Sequence, residues 1–131
     1  MSIDWKALFA AAEKARKKAY APYSKYLVGV AVLADDGTVH LGCNVENASY
    51  GLTVCAERNA LARVVVDGKK PKAVALMVDS RRPTPPCGAC RQVLLELCTK
   101  DTPVVTRTLS GKETRYTVGE LLPDAFTPRD L

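Results

Sequence analysis

Apolar residues near the start of the chain recur at helical intervals. Trp5, Leu8, Phe9 and Ala12 share one face of residues 4–18, which predicts an amphipathic helix. Ser2 or Asp4 can cap it, and "APYS" (21–24) ends it, because a residue before proline disfavours helical backbone. The pattern then changes. "KYLVGVAVLA" (25–34) is nearly continuous and apolar, "DDGT" (35–38) is turn chemistry, and "VHLGCNVE" (39–46) returns, so a strand hairpin is expected. "NASYGLT" (47–53) reads as a loop. Helical spacing resumes in "VCAERNALARVVVDG" (54–68) at Ala56, Ala60, Leu61 and Val64, with Gly68 as its stop.

"KAVALMVD" (72–79) has the form of a buried strand, and "SRRPTPP" (80–86) that of a loop stiffened by three prolines. A helix is predicted over 88–98, strands over 102–109 and 113–118, a short helix over 119–122 and an irregular tail after it. The order α-β-β-α-β-α-β-β argues for a three-layer α-β-α sandwich around a mixed, mainly five-stranded sheet. The first two strands should be antiparallel and later ones join in parallel through helical crossovers. No repeat or linker divides the chain, so residues 1–131 are expected to form one domain.

Composition narrows the classes. Of 131 residues, 47% are hydrophobic and 25% charged, ordinary for a soluble globular protein. No apolar run approaches the roughly 20 residues of a membrane span. The N-terminus places its acid and tryptophan before its basic residues, unlike an export signal, so the cytoplasm, with reduced thiols, is the expected location. The formal charge is +5, but the basic residues are scattered apart from "KARKK" (14–18) and "GKK" (68–70). Both read as solvated helix ends, and the absence of a basic stripe argues against a nucleic-acid partner.

Five cysteines cannot all pair within one chain, which leans towards metal binding or catalysis. "PPCGACRQ" (85–92) puts Cys87 and Cys90 at the start of a predicted helix, where the dipole favours thiolate; a metal, a redox pair and a disulfide all remain open. Cys55 opens another helix. If both helices begin at one edge of the sheet, Cys55 meets Cys87 and Cys90, and Glu57 lies beside them. Three thiolates, an open position and a free carboxylate form a hydrolytic zinc arrangement. Arg58 has reason to turn inward, because three thiolates and a divalent ion together carry about −1. Cys43 and Cys98 are expected to be buried thiols outside the site. His40 lies on the other face of its strand from Cys43 and is not expected to be a ligand.

"CAE" (55–57) followed by "PCGAC" (86–90) resembles the Cys₃ form of the zinc deaminase signature. "APYSKYLVG" (21–29), "GCNVENASYG" (42–51), "CAERNAL" (55–61), "PCGACRQVLLE" (86–96) and "ELLPDAF" (120–126) resemble, in order and spacing, the small homotetrameric cytidine deaminases. The resemblance implies hydrolytic deamination of cytidine and deoxycytidine in pyrimidine salvage. It implies one zinc per subunit on Cys55, Cys87 and Cys90, with Glu57 shuttling protons and Arg58 bonded to cysteine sulfur. Asn44 and Glu46 would take the 3′-hydroxyl, Tyr26 would stack on the base, and Ala56 N–H and the Pro85 carbonyl would contact its polar edge. Ala48, Tyr50 and Phe126 would reach a neighbouring subunit's site. Tyr26 and Pro85 depart from the family, which usually has phenylalanine and often a small polar residue there. Cytosine within RNA, or a nucleoside antibiotic, would be the other substrates for this chemistry. A non-catalytic zinc module would instead need a fourth protein ligand.

Overall fold

The computed structural model describes residues 2–131. Helix α1 (Trp5–Arg16) is capped by Asp4, whose carboxylate accepts from Ala7 N–H, and Lys14 and Arg16 occupy its last turn. Strands β1 (Val28–Ala34) and β2 (Val39–Cys43) form the expected hairpin. Helix α2 (Ala56–Val66) leads to β3 (Pro71–Val78), and α3 (Gly88–Leu97) to β4 (Pro103–Thr108). Strand β5 (Glu113–Thr117) and the one-turn α4 (Val118–Leu121) precede the tail.

Two predicted strands are shorter than their apolar runs. Residues 25–27 leave β1 because Lys25 takes a left-handed backbone (φ 60°) and the Asn44 side chain bonds Tyr26 C=O and Val28 N–H. Residues 44–46 leave β2 because Val45 pairs instead with Val54, in an isolated bridge. Short 3₁₀ turns at Tyr50–Leu52 and Pro128–Asp130 were not expected from the pattern.

The sheet order is β2-β1-β3-β4-β5. It corrects one expectation: β3 joins antiparallel to β1, and only β3 and β4 pair in parallel. The α2 crossover does connect two strands of like direction, β2 and β3, but β1 lies between them. As a result β2, β3 and β4 run the same way, and the helices following β2 and β3 start over the same end of the sheet. One face packs on Leu8, Phe9 and Ala12 of α1, and the other on Ala60, Leu61 and Val64 of α2 with Leu94 of α3, giving three layers.

Two glycines set the distances between layers. A Cβ on Gly29 would run into the Ala12 carbonyl and lie 2.5 Å from Arg16 N; one on Gly42 would run into the Ala56 carbonyl and lie 2.5 Å from Ala60 N. Helix α1 therefore sits directly on β1, and α2 directly on β2. Helix α2 also covers the free edge of β2, since Asn59 Nδ2 donates to Cys43 C=O (2.8 Å) and Arg63 Nη1 to Leu41 C=O (3.2 Å). Gly29→Ala and Gly42→Ala should each cost more than about 2 kcal/mol, because the clash is with helix backbone that cannot rotate away. Gly51→Ala, where the added carbon meets nothing within 4 Å, should stay within about 1 kcal/mol of wild type. Urea midpoints at unchanged m-values measure both.

Candidate active site

Cys55 is the N-cap of α2 and Cys87 the N-cap of α3, and neither side chain caps its own helix. Both thiols are thus free to face each other, 3.7 Å apart. With Cys90, one turn into α3, the three Sγ atoms lie within 4.8 Å of one another. Four ligands on a tetrahedron with metal–sulfur bonds of about 2.3 Å would have edges of about 3.8 Å. The thiols therefore fit a single tetrahedral ion, with one corner left for a non-protein ligand.

The charges around the cluster are arranged to suit that ion. The Cys55 thiol is held down to about 5, first by the Cys90 thiol donating to it and then by Arg58, whose Nη2 lies 3.5 Å from its sulfur. Cys90 is correspondingly pushed up, because it is the donor to Cys55 and is buried near Glu57. Arg58 Nη2 also reaches Thr53 C=O at 3.5 Å, and its Nε is buried without a partner. Binding a metal would release the proton that Cys90 holds for Cys55.

Glu57 is 5% exposed, and burial raises its carboxyl to about 7, with the charge on Cys55 adding to the shift. It borders a cavity of about 200 Å³ next to Cys55 and Cys87. Of the residues proposed from sequence, Tyr26, Asn44, Ala56 and Pro85 line the same cavity. Thr53 and Thr84 line it too, and the sequence reading missed both. Their only signal was position, one just before "CAE" and the other inside the proline loop. Ala56 opens α2, so its N–H has no partner within the helix and is free for a ligand.

Other predicted residues lie elsewhere. Glu46 and Tyr50 border a neighbouring depression with Tyr23, Ser24 and Thr53, so Thr53 is common to both hollows. Ala48 is exposed, Tyr50 is 76% exposed, and Phe126 is 58% exposed against Gln92, away from the cavity. Cys43 and Cys98 stay out of the thiol cluster, as expected, but both are half-buried rather than buried. Burial raises Cys43 and pushes Cys98 up to about 12, so neither is an activated thiol. His40 is buried, between Asp67 (3.0 Å) and Thr38 (2.9 Å).

Arg91 fixes the loop that leads into the helix bearing two of the thiols. Its Nε donates to Pro86 C=O (2.7 Å) and its Nη1 to Leu121 C=O (2.9 Å), tying the proline loop to α4.

Three thiols placed for one ion, beside a buried carboxyl at the mouth of a small cavity, define a metal-dependent hydrolase site on an α/β/α sandwich. A family model described as the cytidine and deoxycytidylate deaminase zinc-binding region matches residues 3–106. The chain is 51% identical to a cytidine deaminase of Halalkalibacterium halodurans, covering 98% of each chain. It is 44% identical to one of Mycobacterium tuberculosis, covering 98% of this chain and 94% of the relative. The crystal structure of cytidine deaminase from Burkholderia pseudomallei superposes with a TM-score of 0.91 at 47% identity, over 96% of this chain and all of that one. The chain belongs to the cytidine and deoxycytidylate deaminase family of zinc-dependent enzymes.

Two expectations follow for the ligand-free protein. A carboxyl raised to about 7 makes the fold most stable when Glu57 is protonated; that contribution is complete below about 4.5 and lost as pH rises through 7. Cys55 acts in the opposite sense, so the measurement must isolate Glu57. In metal-free protein, the stability of wild type relative to Glu57→Gln should fall by about 3 kcal/mol between pH 4.5 and pH 8, read from urea unfolding. A flat difference would place the carboxyl in a solvated setting. Tyr26 has a buried hydroxyl without a hydrogen-bond partner. Tyr26→Phe should therefore raise stability by about 1 kcal/mol in the same assay.

Proposed function

We propose that the protein hydrolyses the 4-amino group of cytidine and deoxycytidine, giving uridine or deoxyuridine and ammonia. The observation that carries this is the packing of Cys55, Cys87 and Cys90 around one point with Glu57 buried beside them. These three thiols would hold the zinc, and Arg58 would offset the charge of the thiolates. A zinc there acts as a Lewis acid that lowers the pKa of water towards 7 and so supplies a nucleophile at neutral pH.

The chain's own residues do the rest. Glu57 takes the proton of the attacking water and gives it to N3 of the pyrimidine as the remaining hydroxide adds to C4. It then moves the proton of the new C4 hydroxyl to the exocyclic nitrogen, and ammonia leaves as C4 becomes a carbonyl. Buried beside the thiols, the carboxyl is placed for both transfers, a contribution of about 10²–10⁴-fold. The Ala56 N–H and the Pro85 carbonyl bind the polar edge of the base, and the Tyr26 ring packs on its face. Asn44 and Glu46 receive the 3′-hydroxyl, so a free base, which lacks it, is a poor substrate.

The site is completed by association. Ala48, Tyr50 and Phe126 are exposed and do not line the cavity of their own chain, and Leu52 and Val66 add exposed apolar surface. We infer a homotetramer in which the first three reach a neighbour's substrate. No helix among the described residues is long and apolar enough to cross a membrane. The free cysteines fit a reducing compartment, the cytoplasm, and the proposed reaction is one of pyrimidine salvage.

Ammonia release from cytidine, deoxycytidine, cytosine and a short RNA tests the reading. Turnover is expected with the two nucleosides alone. Glu57→Ala should keep about one zinc per chain and lose more than about 10²-fold in kcat. An active Glu57→Ala enzyme would refute the proton shuttle. An active monomer on gel filtration would refute the shared site and leave the thiol chemistry standing.

A further inference from the structure

Glu46 ends the chain segment that leaves β2, and its carboxylate is already heavily used. Oε1 accepts from Tyr23 N–H (3.0 Å) and Ser24 N–H (3.2 Å), and Oε2 accepts from the Ser24 hydroxyl. A carboxylate has about four acceptor positions, so a single one remains, on Oε2. Where that last lone pair points is decided by the group holding the other position on the same oxygen, the Ser24 hydroxyl.

Ser24 is itself constrained. Its Oγ accepts from Tyr26 N–H at 3.0 Å, and its proton is directed at Glu46. Between these two bonds Lys25 is held in the left-handed region, at φ 60°, a conformation costing a non-glycine residue about 1 kcal/mol. The next residue, Tyr26, lines the cavity beside Cys55 and Glu57, and its carbonyl is fixed by Asn44 Nδ2 at 2.8 Å. One hydroxyl thus joins the carboxylate in the outer depression to the backbone of the aromatic residue in the inner cavity. Both are residues to which the proposed function gives substrate contacts, and Ser24 stands between them.

We propose that Ser24 is a positioning residue: its hydroxyl orients Glu46 to read the 3′-hydroxyl of the substrate. The proposal rests on the nucleoside reading given above. Without that hydroxyl, Oε2 has two open positions, water fills one, and the carboxylate is free to turn about its backbone contacts at Oε1. Reading of the 3′-hydroxyl then weakens, while the thiols and Glu57 are untouched.

The experiment compares cytidine with 3′-deoxycytidine in wild type, Ser24→Ala and Ser24→Thr, with zinc content measured in each. Wild-type turnover of cytidine tests the nucleoside reading first; an inactive, zinc-loaded wild type sinks that reading and this proposal with it. Given activity, Ser24→Ala should lower kcat/KM for cytidine about tenfold, chiefly through KM, and change that for 3′-deoxycytidine less than about twofold. Ser24→Thr, which keeps a hydroxyl, should recover most of the loss. Equal losses on both substrates would make Ser24 a merely structural residue of the loop, and no loss on either would show that Glu46 needs no help. Both outcomes overturn the proposal even though the deaminase reading survives.

Discussion

The contact of α2 with β2 at Gly42 is the constraint from which the site follows. With no side chain there, helix backbone rests on strand backbone, and the start of α2 is fixed above the end of the sheet. Cys55, Ala56, Glu57 and Arg58 are consecutive at that start. One helical turn therefore supplies a thiol, a free amide, a carboxyl and a guanidinium, all at heights set by a single glycine. Helix α3 brings the other two thiols to the same end, because β2 and β3 run in the same direction on either side of β1.

Such concentration of charge is stable only as a set. A thiolate at Cys55 raises Glu57, and Glu57 raises Cys90; Arg58 acts in favour of both anions. Burial adds to the cost of charge on Glu57. In the ligand-free chain burial and the neighbouring thiolate together hold the carboxyl well above the ordinary carboxylate range. The cations' position matters as much as their number. Lys14, Lys18 and Arg63 surround Cys43 in a depression elsewhere, and nothing there assembles a second anionic group.

Most of the elements were legible in the sequence because each carries its own period or punctuation: Asp4 before α1, the "DDGT" turn, Gly68 after α2. The thiol cluster was legible for a different reason, since Cys55 and Cys87 both mark helix starts and crossovers bring such starts to one sheet end. What could not be read was anything set by pairing at a distance. The apolar run 25–34 looks like strand throughout, yet its first three residues are pulled out by Asn44, sixteen residues beyond Val28. The direction of β3 relative to β1 depends on which side of the hairpin α2 returns to, and local pattern carries no record of that. Thr53, Thr84 and Ser24 are small polar residues in loops, where composition alone never separates a wall of a cavity from a solvated turn.

The two parts of the site are built by different means. The reacting part stands on helix starts anchored by buried packing, and Glu57 and Cys90 are sealed within it. The part that would read the nucleoside, on the function proposed above, hangs on loops, 20–27 against 44–46, held largely by hydrogen bonds. Tyr20 pairs with Asn44 and Glu46 through the backbone, Asn44 clamps Tyr26 and Val28, and Glu46 clamps Tyr23 and Ser24. Packing tolerates little change, whereas each of these polar bonds is worth about 1 kcal/mol and can be altered singly. On the proposed function, substitutions in the loops would thus shift which nucleoside is accepted without disturbing the thiols or the carboxyl. Tyr26 shows where that freedom stops, because its carbonyl belongs to the loop clamp while the residue also lines the inner cavity. A change of aromatic there is felt by both parts at once.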